Sequence, residues 1–307
     1  RKRLANGMSG IFWLASYPKS GNTWMRAFLS NYWENADHPV NINALTYTTL
    51  VSDRQLFDDV LGIDSGDLTQ DEIDLLRPAV YRTLAHAVSN KSVQFWKIHD
   101  AFQRLPSGEA MFPKDITGGV IYIIRSPLDL AVSYAHHSAV SIDRTITWMS
   151  QHDHGLFMPP VRLPQIHQRM YSWSDHIRSW TTQTDLPLLI IRYEDMVLRP
   201  QETFKAVIRF VYNALDNPDH AGDSERLARA LRFSSFDELK KQEAQWGFSE
   251  KDQRTQSFFR KGVIGDWREQ LTPQQVERIL HDHHDVMQAF GYLDAKGAVT
   301  QFESSSN

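Results

Sequence analysis

No cysteine occurs among the 307 residues of the chain. That excludes a disulfide framework and thiolate metal ligation, and a reducing compartment is the expected setting. No apolar run approaches the ~20 residues that a membrane-spanning helix needs. The opening "RKRLANGMSG" is basic but lacks the apolar stretch of a signal peptide. An excess of positive charge is missing too. Lys and Arg number 33 against 37 Asp and Glu, a net charge of −4. The chain as a whole therefore has no general attraction for nucleic acid or an anionic membrane, and any anion site must be a local cluster of cations. Internal repeats and low-complexity tracts are also absent. These absences point to a cytoplasmic protein whose partner is a small molecule. Met8 is the expected native start. Residues 1–10 and 294–307 are expected to be tails around one domain spanning 11–293.

Hydrophobic residues make up 41% of the chain, enough for a large core, and charged residues 23%. Three short apolar runs read as buried parallel strands: "IFWLA" from Ile11, "GGVIYIIR" ending at Arg125 and "LPLLIIRY" ending at Tyr193. "SVQFWKIH", ending at His99, is the fourth. Helical patterns separate them, over Thr23 to Trp33, Thr69 to Ala87, Pro127 to Ala139, His167 to Gln183, Glu202 to Tyr212 and Pro273 to Phe290. Thr69 with Glu72 is a capping-box pair, and Thr272 with Pro273 is a good helix start. Strands alternating with helices predict an α/β domain with a central parallel sheet flanked by helices. His152 to Pro164 and Asp216 to Ser224 read as loops within it.

The stretch "SYPKSGNTW" (Ser16 to Trp24) joins the first strand to the first helix. Such a turn aims unpaired backbone N–H groups at one point and favours an anion there. Gly21 permits close approach, Lys19 adds a full charge, and Ser20 and Thr23 add hydroxyls. The result is a P-loop-like phosphate cradle, unless it is an ordinary turn with an exposed lysine. It is not the nucleoside-triphosphatase loop, because Lys19 precedes the glycine. The strand "VIYIIR" ends in Arg125 where a metal-binding Asp would be wanted, and Glu194 and Asp195 follow their strand only after Arg192 and Tyr193. Arg125, at the end of its strand, suits direct contact with phosphate through its planar fork. Ser133 lies two turns along the following helix, where a plain polar surface position is the alternative. Arg260, Lys261 and Gly262 in "FFRKGVIGDW" combine two cations with a flexible backbone, or else form a solvated turn.

In this order and spacing, "YPKSGNTW", "IIRSPLDLAVSY" and "RKGVIGDW" resemble the three signatures of the cytosolic-type sulfotransferase family, in its bacterial small-molecule form. Its members use 3′-phosphoadenosine 5′-phosphosulfate (PAPS) and release adenosine 3′,5′-bisphosphate (PAP). The resemblance implies roles. Lys19 would sit against the bridging oxygen, with Ser20, Gly21, Asn22 and Thr23 as donors. Trp24 would stack on adenine, and Tyr193, Ser235 and Phe236 would contact the base. Arg125, Ser133, Arg260, Lys261 and Gly262 would hold the 3′-phosphate. "FWKIHDAF" resembles the strand end that carries the catalytic pair, giving Lys97 and His99. Alternation along a strand puts both on one face, and a neutral histidine can take a proton from a hydroxyl. No metal is required by this chemistry.

Three alternatives stay open at this point: a nucleotide kinase or NTPase, a non-catalytic nucleotide-binding relative, and a metalloenzyme built on His152 and His154 or on His281, His284 and Asp285. The acceptor is expected to be partly hydrophobic, on the strength of Phe102, Phe157, Met158 and Trp246. Arg268, Thr272 and Glu277 keep the spacing of a dimerisation segment of the resembled family, but Pro273 removes a backbone donor from it. A monomer, or a dimer of another kind, is therefore expected.

Overall fold

The computed structural model describes residues 10–88, 93–156, 164–218 and 222–302. Seven strands occur among them: β1 (Ile11–Ser16), β2 (Thr48–Leu50), β3 (Gln94–Ile98), β4 (Thr117–Ile124), β5 (Gly155–Leu156), β6 (Gln168–Arg169) and β7 (Leu188–Arg192). The first helices are α1 (Asn22–Glu34), α2 (Arg54–Leu61), α3 (Gln70–Ala87), α4 (Pro127–Ser138), α5 (Ile142–Ser150) and α6 (Trp173–Thr182). They are followed by α7 (Tyr193–Leu198), α8 (Pro200–Ala214), α9 (Ser224–Phe233), α10 (Phe236–Trp246), α11 (Trp267–Gln270) and α12 (Pro273–Ala289).

The main sheet has five strands in the order β2-β3-β1-β4-β7, and every pairing in it is parallel. β1 lies in the middle and is buried along its whole length. Its continuous apolar run follows from that position, because helices cover both faces. On one face Trp13, Trp96 and Tyr122 pack with Met149, Trp173 and Trp180. On the other Phe12, Leu14, Ile121 and Ile123 pack with Phe28, Phe204 and Val207. All four expected strands are present, and they carry the sheet. β2 was not expected: three residues at an edge give too short a pattern to read.

The helix expected over His167 to Gln183 is shorter than its pattern. Gln168 and Arg169 pair with β5 in a small antiparallel sheet. Tyr171 then takes a φ of 59°, which no helix interior allows. Ser172 caps the helix by accepting from the Asp175 N–H. Thr69 and Thr272 form the capping boxes of α3 and α12. Pro273 is simply the first residue of α12. Residues 294–302, expected to lie in a tail, fold back on the body. Leu293 bridges Val299, and the Phe302 ring packs 5.9 Å from that of Tyr292.

β1 connects onward to strands on both its sides, so the sheet order reverses there. In such sheets a crevice opens beyond the carboxyl ends of the strands. The ends of β1, β3, β4 and β7 all meet at this crevice.

Candidate active site

One cavity of about 1380 Å³ occupies the crevice. The loop from β1 to α1 forms its floor. Lys19 has a φ of 67° and Gly21 one of 102°. A Cβ on Gly21 would lie 2.8 Å from the ring of Tyr193, so only glycine lets the turn close there. Beyond Gly21, the first turn of α1 presents its N–H groups. Thr23 and Trp24 line the cavity. The Lys19 ammonium rests on Phe258, 3.7 Å from the ring centre. Burial first, then the neighbouring charges of Arg125 and Lys97, lowers its pKa to about 7.

Asn22 needs a correction. Its amide nitrogen donates to the Leu14 carbonyl (2.9 Å) and to Ser16 Oγ (3.2 Å), so the side chain faces the strand. Only its backbone N–H is left to serve as an anion donor. Ser20 does not line the cavity, and its buried hydroxyl has no partner.

Arg125, just past β4, lies over the ring of Tyr193 at 4.3 Å. It donates to the carbonyl of Lys19 at 3.0 Å, while its buried Nε has no partner. Ser133 on α4 lines the same region, as do Arg260, Lys261 and Gly262. Asp266 holds both Arg260 and Lys261 (2.5 Å). The Asp129 carboxylate accepts from the N–H groups of Gly265 (2.8 Å) and Trp267 (3.1 Å), fixing this loop to α4. A Cβ on Gly262 would lie 2.5 Å from the Phe236 ring. Phe236 faces the cavity and also packs against Phe259. Ser235 spends its hydroxyl oxygen on capping α10, where it accepts from the Glu238 N–H at 3.4 Å. Its hydroxyl proton stays available.

Lys97 and His99 project from β3 and the residue beyond it into the same cavity. His99 Nδ1 is 2.7 Å from the carbonyl oxygen of Ser16. A carbonyl only accepts, so Nδ1 carries the proton and Nε2 is the basic nitrogen. His176 supports this arrangement by hydrogen bonding through Nε2 to the His99 carbonyl at 3.0 Å. Burial, with Lys97 next, holds the His99 pKa well below its ordinary value. The imidazole is therefore neutral at pH 7. Lys97 is paired to Glu250 at 2.7 Å, and Glu250 to Arg26 at 2.5 Å. Glu250 was missed at the sequence level, where "GFSEKD" offered no signal beyond one acid in a loop.

Of the aromatic residues behind the hydrophobic-acceptor expectation, Phe102 and Trp246 do not line this cavity. Phe102 packs against Phe112 and Trp180. Trp246 is 53% exposed elsewhere on the surface. Phe157 and Met158 lie outside the described residues. Leu50, Tyr134, His137, Trp148 and Phe258 line the cavity, among polar groups such as Asp53 and Gln165.

The acids expected of an NTPase are committed elsewhere. Glu194 is buried and accepts from the Ser126 N–H and the Tyr292 hydroxyl. Asp195 is held by Arg192 and Arg199. Among the described residues, no three or more His, Asp or Glu side chains gather as a metal ion would need.

A model of the sulfotransferase domain matches residues 10–291. The chain belongs to the sulfotransferase family. Sulfotransferase 1 family member D1 of Rattus norvegicus is 25% identical over 277 residues, covering 88% of this chain and 81% of the rat protein. Cytosolic sulfotransferase 17 of Arabidopsis thaliana is 25% identical over 304 residues, covering 93% and 76%. Among solved structures, mouse sulfotransferase SULT7A1 complexed with PAP superposes with a TM-score of 0.55 at 22% identity, covering 92% of this chain and 84% of the mouse chain. Retinol dehydratase in complex with androsterone and PAP gives 0.54 at 18% identity, covering 91% and 80%. The family's fold and this sheet therefore agree. No helix among the described residues is long and apolar enough to cross a membrane.

Proposed function

We propose that this sulfotransferase moves a sulfuryl group from PAPS to the hydroxyl, or amine, of a small acceptor, with His99 as general base. One observation carries the reading: the Ser16 carbonyl fixes His99 with its basic Nε2 free, in the same cavity as the Lys19 loop. The site fits the donor. Arg125 Nε, on a side chain that lines the cavity, is a buried polar atom with no partner among the described residues, and Gly21 and Gly262 leave room that a Cβ would fill.

When bound, PAPS supplies the sulfuryl group and a phosphate leaving group. His99 Nε2 accepts the proton of the attacking hydroxyl. Lys19 and the first N–H groups of α1 place positive charge where the departing phosphate gains negative charge, the kind of preorganised stabilisation that dominates many enzymes. Arg125, Ser133, Arg260, Lys261 and Gly262 hold the 3′-phosphate. Trp24, Tyr193, Ser235 and Phe236 hold the base. The protein works as a monomer or as a dimer of its own kind in the cytoplasm, on a partly hydrophobic small-molecule acceptor, and without a metal. The domain extends over about residues 11–293, and light scattering measures its assembly.

Calorimetry tests the nucleotide site. PAP is expected to bind far more tightly than AMP, and equal affinities would overturn the 3′-phosphate assignment. His99→Ala is expected to lower turnover by ~10²–10⁴, the usual worth of a general base, with PAP affinity unchanged. Near-wild-type turnover of this variant at neutral pH would assign the base elsewhere. Activity is expected to survive EDTA, whereas a strict metal requirement would favour kinase-like chemistry.

A further inference from the structure

Glu250 lies in the loop between α10 and the Arg260 segment, and its carboxylate, 21% exposed, lines the cavity. Oε1 is 2.5 Å from Arg26 Nη1 on α1, and Oε2 is 2.7 Å from Lys97 Nζ on β3. Arg26 and Lys97 are themselves largely buried, with side chains 8% and 12% exposed. The contact therefore ties three distant parts of the chain together at the point where the acceptor must meet His99.

We propose that Glu250 is a positioning residue for sulfuryl transfer: clamped by Arg26, it holds the Lys97 ammonium charged and aimed beside His99. The proposal rests on the sulfotransferase reading of the cavity and adds to it a residue that works through Lys97.

Charge counting gives the reason for the clamp. Lys97 faces other cations or potential cations on every side: Lys19 from the first loop, Arg26 from α1, and His99 and His137 from β3 and α4. Left alone in that company and out of water, an ammonium loses its proton. A single carboxylate opposite Lys97 opposes this loss, although burial still leaves the Lys97 pKa below its ordinary value. By itself the carboxylate would also cancel the charge. Arg26 supplies the second cation, so two cations and one carboxylate leave a net charge of +1 and the cavity still attracts an anion. Arg26 also fixes the position of the carboxylate, since a guanidinium confines its partner more tightly than water does. Loop residues Ser249 and Asp252, on either side of Glu250, line the cavity. The clamp thus also sets that wall against the strand bearing the base.

Glu250→Gln keeps the size and the hydrogen-bond acceptor but removes the charge. Three measurements test it. In protein labelled with ¹³C-lysine, the Lys97 resonance is expected to titrate at lower pH in Glu250→Gln than in wild type, in the absence of any nucleotide. kcat is expected to fall about tenfold, which corresponds to about 1.4 kcal/mol, while PAP affinity changes less than about twofold. In a Lys97→Met background, Glu250→Gln is expected to cost almost nothing more, because groups acting as a unit are not additive. Losses that multiply in the double variant would overturn the proposal, as would an unchanged Lys97 titration. Should Glu250→Gln fail to fold, Glu250→Asp is read in its place. It is expected to keep the Lys97 titration of wild type and a kcat between the two, and a Lys97 titration displaced downward would overturn the charge argument. A wild type that does not bind PAP would instead defeat the sulfotransferase reading, leaving the two failures distinct.

Discussion

Lys19 makes nucleotide affinity depend on pH, with a sign the structure fixes. Its pKa stands at about 7 where an ordinary lysine has 10.5. Burial does most of this, and Arg125 and Lys97 add to it. A bound phosphate beside the ammonium favours the charged form and raises the pKa again. Below about pH 7, Lys19 is protonated in the free and the bound enzyme, and affinity is flat in this respect. Above it, the free enzyme has lost the proton and the bound enzyme keeps it. Binding must then take up a proton, and affinity falls by up to tenfold per pH unit, about 1.4 kcal/mol each. The fall ends only where the bound pKa is reached. Working above about pH 7.5 keeps the phosphates of PAP in one ionisation state, since their second pKa lies near 6. His99 stays neutral throughout that range. The assay is calorimetry with PAP at about pH 8 in buffers of different ionisation enthalpy. Wild type is expected to take up nearly one proton per site, and Lys19→Met almost none. A wild-type affinity that is flat from pH 7 to 9, with no proton uptake, would refute the reasoning.

Other expectations follow from neighbouring contacts. The acid limb of kcat/KM is expected below the ordinary histidine pKa of 6.5, because burial and Lys97 hold His99 down; Lys97→Met removes one of those causes and is expected to move the limb to higher pH. Gly262→Ala places a Cβ 2.5 Å from the Phe236 ring at a φ of 66°, and calorimetry is expected to show at least about a fivefold loss of PAP affinity, given that such overpacking costs about 1–3 kcal/mol. Asp100→Ala leaves the fully buried Arg77, now bonded to both carboxylate oxygens of Asp100, with only the longer contact to Asp74 (3.4 Å) as a charged partner, and denaturant unfolding is expected to show about 3 kcal/mol of lost stability.

The four main strands and the phosphate cradle were legible because each is local. An apolar run between helices reads as a buried strand, and a lysine, a serine and a glycine at a strand end read as an anion turn. Signatures scattered from Lys19 to Gly262 were legible only through family resemblance, since no local rule says that Arg125 and Arg260 meet. What escaped depends on packing between distant segments. Glu250 is an unremarked loop acid until Arg26, 224 positions earlier, closes on it. Asn22 looks like a ligand donor until the Leu14 carbonyl claims its amide. Phe102 and Trp246 looked like acceptor contacts because hydrophobicity does not say which of several apolar surfaces a side chain joins.

The same packing answers how a chain of net charge −4 holds a multiply charged anion. Its cations are kept in the folded protein by two different devices. Arg260 and Lys261 share Asp266, and Arg26 and Lys97 share Glu250. The Arg26–Lys97–Glu250 group leaves one positive charge over, while Lys261 also reaches Glu269 at 4.0 Å. Lys19 and Arg125 have no carboxylate partner among the described residues. They rest on the rings of Phe258 and Tyr193 instead. A ring face attracts a cation without cancelling its charge, so neither charge is neutralised by a carboxylate. They also repel each other, which is part of why the pKa of Lys19 is low. An incoming phosphate relieves that repulsion as it binds. The surplus lies along the strand ends and not on the protein's exterior, which lets the site select a small anion while the net charge of the chain gives polyanions no general attraction.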